Sequence, residues 1–595
     1  MAKIIFFAPH SLLWVHAFPE GVVAESLMKS KHDIVYITCG GALNSACICL
    51  GMKGVGPDSP DAKRAEVCGQ CSSRAHLIQK EMKLPGYSLS SASLPEDDEK
   101  VKAVLASVSP SNFSEFALEG IPIGKITAYE ILIQYKKMNA DLSEKEWQQY
   151  YSKLKSAVKA FYILKRIFDK EKPDYAISYN SLYSVNAVFT ELARMRGAAP
   201  YFMHAGGNLS DRLSTLSIGR DSALVYIKEI LKRWPMVQNL PCNEGLLTEA
   251  TGHFLELLRG RNVFAYSAPK SKTSIDVRKM FGVIPQQKVL VATMSSYDET
   301  FAAEFVGACP KVEGILFKTQ LEWVQALVKW VQDKPEYFLI IRVHPRDFPN
   351  KRDRSSSKQA SVLRSLFVDL PKNVKVNWPE DGLSLYDLAC ETDVFLNAWS
   401  SVGVEMSLLG LPVVIYSKEE IGYPSDLNYL GETEVEYFVQ IEQALKDGWN
   451  FERVRKTYRW LSLLFGRSQI RIEESYNGPP LYENIFQRKF AGGMRKLFPL
   501  LEEWQDCRKR SRDIRHAEAL SQMFIQGAST SFDTVNLQRG SVSTMEEETA
   551  FIKLEMARIA KALWGDIENT QRKSNGKLFL QFRNYLSDPI LQNHR

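Results

Sequence analysis

No apolar run in this chain approaches the roughly 18–20 residues that a helix needs to cross a bilayer, so no membrane-spanning helix is expected. The first residues, Met1–His10, hold too short an apolar stretch and no small-residue cleavage site for a signal peptide. They read as a buried first strand, and the expected location is cytoplasmic, with peripheral contact at the inner membrane face left open. Excess charge is also scarce. A net charge of +6 over 595 residues leaves only local basic patches to argue for an anionic partner, and no nucleic-acid partner is expected. No Asp-x-Asp element of the metal-dependent kind stands out, so no catalytic metal or other cofactor is expected for the chemistry. Cysteine is thin outside one stretch: five of nine fall between Cys39 and Cys71, spaced Cys-x7-Cys-x-Cys-x18-Cys-x2-Cys. Thiolates at Cys39, Cys47, Cys49, Cys68 and Cys71 would suit a structural zinc or an iron–sulfur cluster; the alternative is unconnected thiols in a reducing compartment.

What the chain does have is a repeated strand–helix pattern, with polar clusters where apolar runs stop. Ile4–Phe7 and Asp33–Thr38 read as strands around a helix at Glu20–Lys29, so Pro9–Pro19, with His10, Trp14 and His16, is expected as a loop. Tyr175–Ser178 ends on Asn180, and Pro200–Met203 ends on His204. A linker rich in Ser, Lys and Pro at 266–273 opens a second series. Val289–Thr293 runs into Ser295, Ser296 and Asp298; Phe338–Val343 closes on His344-Pro345-Arg346; Asp393–Leu396 precedes Ser400-Ser401-Val402-Gly403-Val404-Glu405. In a parallel sheet such strand ends share one edge and converge on one crevice. Arg346 can fork two hydrogen bonds to a phosphate, and the Ser400–Ser401 amides open a helix whose positive end favours anions. Helices dominate from 435 onward. The basic run at 508–516 reads either as a solvated helix face or as a patch for lipid headgroups, and 526–547 reads as a flexible connector to a last helix at Glu548–Trp564.

The domain reading is therefore an N-terminal Rossmann-like acceptor domain, 1–265, with the cysteine-rich insertion, a C-terminal Rossmann-like donor domain, 266–435, and a helical extension, 436–595. Two such α/β halves facing a central cleft look like a GT-B glycosyltransferase. Ala8-Pro9-His10 with Trp14-Val15-His16 and Phe18-Pro19-Glu20, Lys172-Pro173-Asp174, Tyr179–Ser184, His344-Pro345-Arg346 and Ser400–Gly403 together resemble bacterial capsule polysaccharide biosynthesis proteins over residues 1–430. That group includes transferases of Kdo-like and sialic-acid-like sugars from CMP donors. The resemblance implies a nucleotide-sugar donor, cytidine-linked, held by His344, Arg346, Ser400 and Ser401, and a glycan or lipid-linked glycan acceptor. Pro379-Glu380-Asp381-Gly382 has the composition of the acidic motif of bacterial sialyltransferases but follows the His-Pro element instead of preceding it, so Asp381 is not assigned as a base.

On the acceptor side His16 and Glu20 are the leading candidates for the base, with Asn180 and His204 orienting acceptor or base. Glu20 could instead be a helix N-terminal carboxylate, and His204 a framework histidine. On the donor side Ser295 and Ser296 could add phosphate contacts, Asp298 could meet the sugar or cap a helix, and Glu405 could reach a ribose hydroxyl or be a solvated carboxylate. A nucleotide-sugar epimerase of the same architecture and a non-catalytic glycan-assembly scaffold are the other readings.

Overall fold

The computed structural model describes residues 1–260, 262, 264–266, 268–271, 275–350, 354–480, 485–512, 517–532, 543–565 and 576–587. Among the described residues thirteen strands form two sheets. The first holds β1 (Lys3–Ala8), β2 (Asp33–Thr38), β3 (Gly86–Ser88), β4 (Tyr175–Tyr179), β5 (Ala199–Ala205) and β6 (Thr215–Arg220). The second holds β7 (Lys288–Thr293), β8 (Tyr337–Arg342), β9 (Val374–Asn377), β10 (Val394–Asn397), β11 (Val413–Ile415) and β12 (Tyr429–Leu430), and β13 (Ile470–Arg471) returns to the first.

Their order is β13-β6-β5-β4-β1-β2-β3 and β12-β11-β10-β7-β8-β9. Counted within each half, both run 3-2-1-4-5-6, the doubly wound dinucleotide-binding order. The second sheet is parallel throughout; in the first, β6 alone is reversed, pairing antiparallel with β5 on one side and with β13 on the other. Two Rossmann-like halves with their strand ends across a common cleft make a GT-B-like α/β fold. The central strands Ile4–Phe7 and Val289–Ala292 are wholly buried, as expected for parallel strands covered by helices on both faces.

One local expectation changes. The first helix, α1, starts at Trp14 and runs to Lys29 with Pro19 inside it, so Trp14 and His16, expected on the loop, are helical, and Glu20, expected at the helix start, lies in its second turn. Proline lacks an N–H and disfavours the helix locally, but Ala17–Leu27 is buried without interruption, and that tertiary burial outweighs the local cost.

Residues after 435 pack back onto both halves. β13 pairs with β6, the helix Ala517–Ile525 rests on α1, and Met545–Trp564 packs along Glu244–Arg259. Within the expected connector, 533–542 lie outside the described residues, while Thr530 bridges to Gly219 and Phe532 is buried. The following helix begins at Met545, before the expected Glu548, and another spans Lys577–Ser587. Of the linker at 266–273, positions 267, 272 and 273 lie outside the described residues; Lys270 is ion-paired to Asp387 at 2.6 Å, which ties its neighbourhood to the second half.

Candidate functional site

The two carboxyl edges enclose a cleft of about 620 Å³. One wall comes from the first half and its returning helices: His204 at the end of β5, Arg212, His253 and Gln469. The other comes from the switch point of the second sheet: Thr293 at the end of β7, Arg342 at the end of β8, His344, and Trp399–Ser401 after β10. Tyr266, Phe264 and Phe465 supply aromatic surface.

Hydrogen bonds fix the two facing imidazoles in opposite tautomers. His204 Nδ1 lies 3.1 Å from the Ala205 carbonyl oxygen, which can only accept, so Nδ1 carries the proton and Nε2 is left as an acceptor. His344 Nδ1 accepts the Arg346 backbone N–H at 3.2 Å, so Nε2 carries the proton and donates. His253 resembles His344, its Nδ1 accepting from the Leu209 amide at 3.1 Å. All three are held neutral. Burial pushes His204 and His344 down to about 4, with Arg212 and Arg346 respectively adding repulsion, and pushes His253 to about 3.

Arg342 is the cation of the wall formed by the second sheet. Its guanidinium donates to the Leu383 carbonyl at 3.0 Å and to Asn377, whose own amide is held by Asp381 at 3.0 Å. Asp381, in the acidic turn set aside above, therefore helps position this arginine through Asn377. Among the described residues no carboxylate forms an ion pair with Arg342, and burial lowers its pKa to about 10. Asp387, Glu405 and Asp381 act on it only at longer range, and a desolvated guanidinium without a direct ion pair gains from an anionic ligand. Glu405, the carboxylate lining the same wall, accepts from Tyr386 Oη and Ser401 Oγ, both at 2.8 Å, and burial raises its pKa. It thereby orients Ser401. Ser400 accepts the Val402 amide at 3.4 Å, and the Asn397 side chain holds its carbonyl.

No family model matches the chain, and no curated protein matches it. Solved structures similar to it include the beta Kdo 2,4 transferase KpsC of Thermosulfurimonas dismutans, with 13% identity, a TM-score of 0.32, and coverage of 54% of this chain and 87% of that one. The UDP-GlcNAc 2-epimerase of Methanocaldococcus jannaschii aligns at 13% identity and TM-score 0.25, covering 77% of this chain and 98% of that one. The spinosyn rhamnosyltransferase SpnG, complexed with thymidine diphosphate, aligns at 10% identity and TM-score 0.23, covering 78% and 96%.

Of the donor-side candidates, His344, Ser400, Ser401 and Glu405 line the cleft, whereas Ser295, Ser296, Asp298 and Arg346 do not. Arg346 is buried and engaged at every nitrogen: Nε and Nη2 donate to Asp298 at 2.6–3.0 Å, Nη1 to Tyr266 at 2.6 Å, and Nη2 also to the Ile133 carbonyl at 3.2 Å. It joins the halves instead of facing a phosphate. Asp298 is that buried counter-ion. Ser296 Oγ donates to Glu299, and the Ser295 backbone exchanges hydrogen bonds with the Gln320 amide.

Of the acceptor-side candidates, His204 lines the cleft. His16 stacks on Tyr179 with ring centres 4.1 Å apart, and burial, with His204, His10 and Arg212 nearby, lowers it to about 3. Glu20 is buried and accepts the Tyr179 amide at 3.1 Å, and burial raises its pKa well above the carboxylate range. Asn180 has φ +58° and turns the chain, its side-chain oxygen accepting the Leu182 amide.

Cys39, Cys47, Cys49, Cys68 and Cys71 line a separate cavity of about 20 Å³, but among the described residues no group of three or more Cys, His, Asp or Glu side chains is arranged to hold a metal ion. In the basic run, Arg510 is buried against Glu25 at 2.8 Å and Arg508 lies over Trp504, while 513–516, with Arg515 and His516, lie outside the described residues. Among the described residues no helix is long and apolar enough to cross a membrane.

Proposed function

We propose that this protein transfers a sugar from a nucleotide-activated donor, cytidine-linked by the motif resemblance, to a surface polysaccharide or its lipid-linked precursor. The observation that carries the reading is the cleft itself, whose donor wall offers the Arg342 guanidinium and the His344 Nε2–H, while the facing wall offers the His204 Nε2 lone pair. Arg342 and His344 would hold the donor phosphate and meet the charge that develops as the sugar–phosphate bond breaks. Ser400 and Ser401 would add hydroxyl contacts. His204 would take the proton of the attacking hydroxyl; an anionic donor beside it raises its basicity by Coulomb attraction, opposing the effect of Arg212.

A thermal-shift series with CMP, CDP, UDP, GDP and dTDP on wild-type protein and Arg342→Met tests this, since a ligand that binds only the folded state stabilises it by mass action. The expected result is a cytidine-specific shift that disappears in the variant. A shift confined to UDP would favour epimerase chemistry, and no shift with any nucleotide would overturn the reading.

A further inference from the structure

The helical extension carries a helix pair that takes no part in the cleft. Helix α3 (Ile485–Leu497) is followed by α4 (Leu501–Lys509), which rests on α2 (Asp61–Met82) of the first half. Apolar side chains are left in solvent here. Phe490 is 65% exposed, Leu497 73%, Phe498 55% and Trp504 41%. Among the described residues only one other phenylalanine or tryptophan is exposed, Phe264, and it lines the cleft. Exposed apolar residues scattered singly are ordinary, but three aromatic rings and a leucine within 15 residues form a patch.

The pattern along α3 is regular. Lys489-Phe490 recurs seven residues later as Lys496-Leu497, close to two full turns, so the two apolar side chains share one face and the two lysines run beside them. Of the side chains described between 487 and 498 only Ala491 is buried, so α3 seats on the protein by a small contact and leaves that face in solvent. An open groove of about 820 Å³ continues the surface between the helix pair and α2, lined by Leu77, Leu497, Phe498, Leu501 and Trp504.

Charge is sorted in the same way. Residues 487–512 hold eight Lys and Arg against three Asp and Glu, in a chain whose net charge is +6. All three carboxylates are engaged with the protein: Glu502 with Arg495 at 2.9 Å, Glu503 with Arg74 at 2.6 Å, and Asp506 with the Trp14 indole N–H at 2.7 Å. Among the described residues Lys489, Lys496, Lys509 and Arg512 form no ion pair. What faces solvent is a set of apolar side chains among uncompensated cations.

We propose that this helix pair is a docking surface for an anionic lipid bilayer, with Phe490, Leu497, Phe498 and Trp504 entering the boundary between headgroups and acyl chains, and Lys489, Lys496, Lys509 and Arg512 meeting lipid phosphates. A bilayer is preferred to a protein partner because lysine is depleted at the cores of protein interfaces, whereas at a membrane its stem lies along apolar surface while the ammonium reaches the headgroups. The contact is interfacial, since among the described residues no helix is long and apolar enough to cross. Trp14 and Arg74 tie the helix pair to the first half, so docking sets that half against the bilayer. The inference stands apart from the transfer chemistry.

The test is co-sedimentation of full-length protein with vesicles of phosphatidylcholine, alone or with about 30% phosphatidylglycerol to give a negative surface potential. Wild-type protein should bind the anionic vesicles at least ~10-fold more tightly than phosphatidylcholine and lose most of that preference in about 1 M salt, where charges are screened beyond ~3 Å. Lys489→Gln/Lys496→Gln should weaken anionic binding about 10–30-fold, since each cation near such a surface contributes roughly fivefold. Phe490→Ser/Leu497→Ser should weaken it by about 10-fold or more through lost apolar burial. Val435→Ser/Val439→Ser, which removes exposed apolar side chains on another helix, should bind as wild type does. The wild-type arm needs no variant, so a variant that fails to fold does not rescue the proposal. Absence of wild-type binding to the anionic vesicles would overturn it, as would equal binding by Phe490→Ser/Leu497→Ser. A wild-type dimer in light scattering that this variant dissociates would overturn it in favour of a second copy of the chain as the occupant.

Discussion

The two switch-point edges are built from the same strand order and similar residue types, yet they do opposite things with them. At the second edge, between β7 and β10, polar side chains open on the cleft, and Arg342 meets it without a carboxylate partner among the described residues. At the first edge, between β1 and β4, the polar groups are turned inward. Glu20 is spent on the Tyr179 amide, Glu130 on Lys153 and Ser184, and His10 and His16 pack against Tyr183 and Tyr179. A strand-end cluster is therefore a place where a site can be built, and counter-charge decides whether one is. Arg342 and Arg346 repeat the contrast on a smaller scale, since one lies open to a ligand and the other is consumed by Asp298.

The largest effect expected is on catalysis. If His204 is the group from the first half that touches substrate, His204→Gln lowers kcat by about 10²–10⁴-fold with little change in nucleotide affinity, measured as steady-state sugar transfer. An equal loss in His16→Gln with His204→Gln active would mean that the first edge, between β1 and β4, opens on the substrate after all. Next comes the ion pair. Arg346→Met leaves Asp298 buried without its partner and should cost about 3–5 kcal/mol of stability in urea unfolding, while Asp298→Asn/Arg346→Met together recover part of that. Arg342→Met should show the complementary pattern. Nucleotide Kd rises about 10–100-fold by calorimetry, matching the loss of a charge-assisted hydrogen bond, while stability stays within about 1 kcal/mol.

Much of this could be read from the sequence because parallel strands buried on both faces leave continuous apolar runs. β1, β2, β4, β7, β8 and β10 all appear within a residue or two of where those runs place them. The short edge strands β3, β12 and β13 carry no such run. Arg342 escaped notice as the end of an apolar stretch, although a cation inside a buried parallel strand is itself a signal that a partner or ligand is waiting. The choice between Arg342 and Arg346 depended on the turn at Pro345–Asp347, which swings Arg346 toward Asp298, and local sequence does not reveal that partner. Arg212 and His253 reach the cleft from a loop and a helix with no motif of their own, so only the tertiary fold brings them in. Pro19 hid the first turns of α1 for the opposite reason, because local propensity was overridden by burial.

The smallest effect per residue separates the edges by pH. His10, His16, His204, His253 and His344 are held down at about 3–4 from an ordinary value near 6.5, chiefly by burial. Below about 6.5 the unfolded chain binds protons that the folded one does not, so stability falls as pH drops from there toward 4, and it is unaffected by these groups above 7. Each contributes a slope of up to about 1.4 kcal/mol per pH unit across that window. Unfolding midpoints at pH 7.5, 6 and 5 should show His16→Gln flattening the acid slope by about one proton, with or without nucleotide. For His344→Gln the slope should flatten likewise in the free protein, but the nucleotide-dependent part of the stability should shrink at every pH, because that ring alone of the two faces the ligand. A nucleotide-dependent loss of the same size in His16→Gln would mean that the first edge also opens on the ligand, and the contrast between the two edges would fall.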